Sequence, residues 1–150
     1  MRQYENAMLY LNDALELEPN NWEALFLLAA VLIELGNYAE ALTVLRKSLN
    51  IYYNVGAFWL LGYGNAMEGK KDEAYEIIRH LQSKNEHKHA IKLARIFSAL
   101  GEKEMTYKFL EEAFKYHDSD LVALKSDPSW SSIKNESRFK DLIKRVGLPT

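Results

Sequence analysis

Apolar residues return along this chain at helical spacing, and turn signals interrupt them at nearly regular intervals. Ala7, Leu11, Ala14 and Leu15 stand close to the i, i+4, i+7, i+8 positions of one buried face, which predicts a helix over residues 1–17. Pro19 stops it, because proline lacks an N–H and disfavours helix in the residue before it. A strongly apolar helix over about 22–35 follows, with Asn20 and Asn21 placed to accept its free N–H groups. Gly36 ends it at the position where a left-handed residue closes a helix. The return helix runs to about Ile51, with Asn37 as N-cap and Glu40 three residues on, the pattern of a capping box. Two more pairs are predicted, at about 56–68 with 71–83 and about 87–100 with 102–116, joined by a polar stretch at 83–88. After Tyr116 the pattern breaks into a short helix at about 119–125, an Asp127-Pro128 stop and a last helix at about 136–146.

The same grammar occurs three times. Leu28-Ala29, Leu61-Gly62 and Leu93-Ala94 stand at one fixed distance before Gly36, Gly69 and Gly101, and these glycines are 33 and 32 residues apart. Ala41, Ala74 and Thr106 lie five residues after them, and Leu45, Ile78 and Leu110 nine after. Two helical runs per unit at that period signal a stacked helical repeat. The small residues let paired backbones approach; larger ones would force strain of about 1–3 kcal/mol.

These residues resemble the tetratricopeptide repeat, whose pattern pairs Leu-Gly on a first helix with a spaced Ala, aromatic and Pro on the second. Leu61-Gly62 fits the first part; Ala7, Leu11, Ala14 and Pro19 fit the second, and Ala41 with Leu45 follows it. Tyr53 and Asp118 stand where the terminal proline is expected, and Thr106 replaces an alanine. The resemblance implies an all-α fold, a right-handed superhelix of hairpins. It divides the chain into a half repeat at 1–19, full repeats at about 22–54, 55–86 and 87–118, and a closing segment at 119–150. That segment, with Leu124-Lys125, Asp127-Pro128-Ser129-Trp130, Ser137-Arg138-Phe139 and Gly147-Leu148-Pro149, is similar to the end of tetratricopeptide arrays in multidomain microbial regulators. The resemblance then implies a cap over the last repeat. It also implies that the half repeat lacks its partner helix, as in a fragment of a longer signalling or transcription protein or in a self-associating one.

The resemblance further implies that one face of the first helices lines a concave groove for a peptide. Phe26, Ala30 and Ile33 share that face, as do Trp59, Tyr63 and Ala66 beside Met67, and Ile91, Arg95 and Ser98. The groove candidates are therefore Phe26, Ile33, Trp59, Tyr63, Met67, Ile91 and Arg95, with Arg95 as an anchor for a carboxylate or carbonyl. The bland alternative is that these rows are simply core, buried by stacking or by the chain's own tail. Phe26 and Ala30 stand where some relatives carry carboxylate-clamping polar residues, which argues against the acidic chaperone tails those relatives bind.

Composition narrows the chemistry. A net charge of −2 gives no electrostatic case for nucleic acid. With no cysteine there is no disulfide, thiolate metal site or cysteine nucleophile. The longest apolar run, 24–33, is half of what a membrane span needs, and no signal peptide is visible, so the expected compartment is the cytoplasm. His87 and His89, two apart, point to opposed sides of a helix and complete no metal shell. Glu111-Glu112 and Glu102/Glu104 lie on polar faces without a pocket, and no phosphate loop or nucleophile motif occurs. Lys134, Arg138, Lys140, Lys144 and Arg145 make the last helix basic, but Glu136 and Asp141 interrupt them, as on a solvated face. The sequence therefore predicts a non-enzymatic scaffold without cofactor or metal that binds a protein or peptide. The second reading is a homo-oligomer formed through the half repeat, on Tyr4, Met8, Leu11 and Leu15.

Overall fold

A computed structural model describes residues 2–148, the side chains of 2 and 85–87 excepted. Every regular element among them is helical: α1 (Arg2–Leu17), α2 (Trp22–Glu34), α3 (Tyr38–Ile51), α4 (Val55–Met67), α5 (Lys71–Asn85), α6 (Ala90–Ala99), α7 (Lys103–Lys115) and α8 (Ser137–Val146). Short 3-10 turns cover Glu86–His89, Ser119–Ala123 and Pro128–Trp130.

Local chemistry sets the ends. The side chains of Asn21 and Asn54 accept the N–H groups of Ala24 and Ala57, capping α2 and α4. Gly36, Gly69, Gly101 and Gly147 all hold φ near +80°. Each is followed by an N–H that donates to the carbonyl four residues before the glycine, as from Asn37 to Leu32 at 2.8 Å. Asn37 departs from expectation, because its side chain makes no cap bond and the capping box with Glu40 does not form. The third pair also starts differently, opening with the 3-10 turn Glu86–His89 before α6. The expected helix at 119–125 is a 3-10 turn as well.

The chain forms two compact units, Met1–Ile77 and Ile78–Thr150, with the division inside α5. In the first, Leu28, Ala29, Leu32, Ala41, Leu45, Ala57 and Leu60 make the core. Ala29 and Ala41 are fully buried, which is why α2 and α3 can pair closely. Met8, Leu11 and Leu15 of α1 pack against this core from one side. Ser48 of α3, also fully buried, donates to the Trp22 carbonyl at 2.9 Å and ties the end of α3 to the start of α2.

In the second unit α6 pairs with α7 through Ala94 and Thr106, both fully buried. Thr106 fits an alanine slot because its hydroxyl donates to its own helix, at the Glu102 carbonyl. Phe97 and Phe109 stack with ring centroids 5.4 Å apart. Leu121, Leu124, Trp130, Ile133, Phe139 and Leu142 bring the segment after α7 into the same core, each 5% exposed or less.

Candidate functional site

The residues singled out in the sequence fall in two different settings. On α2 and α4 of the first unit, Phe26, Trp59 and Tyr63 are half-buried, resting on the core while leaving part of each ring uncovered. The spacing of Trp59 and Tyr63, one helical turn apart, lets their rings meet edge to face at 6.5 Å. Phe26 lies against α4 at Gly56, where a Cβ would stand 3.4 Å from its ring and 3.1 Å from Asn54 Oδ1. Met67 is 39% exposed, whereas Ile33 is buried. Two further aromatic contacts border this unit, Trp22 with Tyr52 at 4.7 Å and Tyr53 with Phe58 at 5.5 Å. Tyr52 and Tyr53 keep about half their surface exposed. Row spacing on the first helices does not mark Trp22, Tyr52 or Tyr53; the signal in the sequence is Tyr53 in place of the usual closing proline, with Tyr52 beside it.

On α6 the corresponding row is engaged by the chain itself. Ile91 is fully buried. Arg95 donates from Nε to Asp127 Oδ2 at 2.7 Å, and Ser98 donates to the Ser129 carbonyl at 2.7 Å. Asp127 can reach Arg95 because it caps the turn Pro128–Trp130, its other oxygen accepting the Ser129 N–H at 2.9 Å. Pro128 begins that turn where its missing N–H costs nothing. Releasing this segment would uncover Trp130, Phe139 and their neighbours; for scale, deleting one buried Trp or Phe side chain alone costs about 3–5 kcal/mol.

Ion pairs fasten the last helix to α7. Arg145 forks both carboxylate oxygens of Glu111 at 2.7 and 2.8 Å and lies 4.5 Å over the Phe114 ring. Arg138 bonds Glu104 at 3.0 Å and stacks 4.1 Å over Tyr107. Glu136 accepts from both Lys103 and the Tyr107 hydroxyl. Hydrogen bonding from Arg145 holds the Glu111 carboxyl below its ordinary range, and that from Lys103, then Tyr107, does so for Glu136. Burial first, then the bond to Glu136, pushes the Tyr107 phenol up to about 12. Two of the five cations of the basic helix region therefore serve intramolecular pairs.

His87 lies outside the described side chains. Burial, then Lys92 and Lys88, lowers the His89 pKa. Among the described residues no three His, Cys, Asp or Glu side chains gather as metal ligands, and no helix is long and apolar enough to cross a membrane.

On α1, Met8, Leu11 and Leu15 are partly covered by α2, and Tyr4 is 38% exposed. Tyr10 and Leu17, at 72% and 86% exposed, extend the apolar surface beyond Ala7 and Ala14. Residues 1–61 match the family model described as tetratricopeptide repeat. No curated protein matches the chain.

Proposed function

We propose, from the match of residues 1–61 to the tetratricopeptide repeat model, that the protein is a non-enzymatic scaffold that takes a protein segment on the α2–α4 face of its first unit. The observation that carries this reading is the half-covered aromatic row of Phe26, Trp59 and Tyr63, continued by exposed Met67. Rings held on a rigid core, with part of each left open, are the kind of residues that dominate binding energy at interfaces. Ile91 and Arg95 contribute less to a partner in this reading, because Ile91 is buried and Arg95 is held by Asp127. The segment after α7 then acts as a cap on α6 and α7. The double variant Trp59→Ala with Tyr63→Ala is expected to keep its helical circular dichroism and lose at least tenfold in capture of whatever partners the parent chain retains. An unchanged partner set would remove this face as the site.

A second reading has its own observation. Tyr10 and Leu17 expose most of their surface on α1 beside Ala7 and Ala14, an apolar strip suited to another helix. Self-association through this strip, rather than through Met8, Leu11 and Leu15, which pack against the core, predicts a concentration-dependent sedimentation coefficient, abolished by Tyr10→Glu with Leu17→Glu. A monomer at all concentrations would dismiss it.

A further inference from the structure

Two faces of the first unit are covered in one repeat and open in the one before it. Helices α2 and α4 share a register, each capped by an asparagine that accepts from the N–H three residues on, so that Leu27 corresponds to Leu60. On α4 the row Gly56, Leu60, Gly64 lies against α2 and α3, with Phe26 at Gly56 and Ile33 and Leu42 at Gly64. Leu60 is 6% exposed there, whereas Leu27 is 51% exposed. Helices α1 and α3 correspond likewise, Ala7 to Ala41 and Ala14 to Ser48. Ala41 and Ser48 are fully buried in the α2–α3 pair, Ser48 bonding the Trp22 carbonyl. Ala7 and Ala14 are only partly buried. By this correspondence, α1 and α2 present an open slot where α3 and α4 hold a helix.

Charge decides which helix fits. Residues 3–34 contain Glu5, Asp13, Glu16, Glu18, Glu23 and Glu34 but no Lys or Arg, and all six carboxylates are exposed. Glu23 and Glu34 stand on the Leu27 row, four residues before it and seven after, and Asp13 lies between Tyr10 and Leu17 on α1. We infer that the slot takes an amphipathic helix of another protein, with small apolar residues toward Ala7 and Ala14 and Lys or Arg toward Glu23 and Glu34. The apolar rows supply the seat, and exposed ion pairs at its edges add modest affinity while fixing the sign of the partner. A second copy bringing the same face would set carboxylates against carboxylates. The assignment does not rest on the α2–α4 face, and it competes with self-association for one strip.

A suitable probe is a labelled peptide of residues 22–35, the helix that fills the equivalent place on α3, carrying Glu23→Lys, Phe26→Lys and Glu34→Lys. Phe26 is included because it meets Gly56 on α4, the counterpart of Glu23 on α2. Fluorescence anisotropy with the full chain is expected to show saturable binding, with a Kd of about 50 μM. The same peptide with Phe26→Glu and both native glutamates is expected to bind at least about tenfold more weakly. Glu23→Lys with Glu34→Lys in the protein should reverse that preference. Ala7→Gln with Ala14→Gln, neutral and compatible with a helix, should abolish binding of the lysine peptide and leave the helical circular dichroism unchanged. Trp59→Ala with Tyr63→Ala should leave it intact, so the slot and the α2–α4 face fail separately. No binding up to about 500 μM, equal binding of a scrambled peptide of the same composition, or indifference to the two alanine substitutions would each overturn the assignment. A concentration-dependent sedimentation coefficient of the chain alone, abolished by those substitutions, would overturn it in favour of a second copy.

Discussion

A Cβ added at Gly64 would stand 3.1 Å from both Ile33 Cδ1 and Leu42 Cδ2. Helix α4 therefore lies so close to α2 and α3 that even a methyl at that point requires the ends of the Ile33 and Leu42 side chains to give by a few tenths of an ångström. Gly64→Leu is expected to destabilise the first unit by about 1–3 kcal/mol through overpacking, whereas Gly64→Ala should change little, because the gain in helix propensity of about 1 kcal/mol offsets a small shift of two methyl groups. Urea unfolding of the two variants checks the order. The repeat pattern marks Gly62 as the small residue of α4 but is silent on Gly64, since the need for it arises from the particular side chains of two other helices. The buried hydroxyls divide in the same way. Thr106 bonds within its own helix, four residues back, a relation available from sequence. Ser48 bonds Trp22 across 26 residues, and only the folded pair brings them together.

At the scale of elements, the helices and their closing glycines follow from periodicity and turn chemistry, and their bounds agree with expectation to within a few residues. The turns Ser119–Ala123 and Pro128–Trp130 are too short to carry a helical period, and Glu86–His89 shows a 3-10 start where a helix was expected. The Asp127-Pro128 pair was legible as a stop; its role as the carrier of Arg95's partner was not. Asp127→Asn keeps an acceptor for the Ser129 N–H and removes the charge facing Arg95, whose side chain is 14% exposed. The expected loss is about 1–3 kcal/mol. Asp127→Ala should cost roughly 1 kcal/mol more, as the turn also loses its cap. Both are read by denaturant unfolding followed through Trp130 emission in a background lacking the other two indoles.

For the molecule as a whole, the pairs between α7 and α8 set a pH window. Glu111 and Glu136 have folded pKa values below the ordinary 4.5, so the stability they contribute is present above that value and is lost as pH falls through the folded ones. Tyr107 is raised to about 12 from 10.0, so its contribution is present below 10.0 and is lost as pH rises through about 12. A thermal midpoint that is flat between these limits and falls on both sides is expected. Glu111→Gln and Glu136→Gln should lower the plateau and flatten the acid limb, and an acid limb of unchanged slope would assign it to other carboxylates. The sequence by itself determined the helical character, the repeat, the glycine closures and the small residues of each hairpin, because each depends on neighbours within a few positions or on a period. Tertiary structure alone decided which rows remain open. Phe26, Trp59 and Tyr63 occupy equivalent helix faces to Ile91, Arg95 and Ser98, yet the first set stays half-covered, while Ile91 is buried and Arg95 and Ser98 bond residues about 30 positions away. That difference comes from long-range packing, in which Trp130 and Phe139 bury more surface than any local preference could oppose.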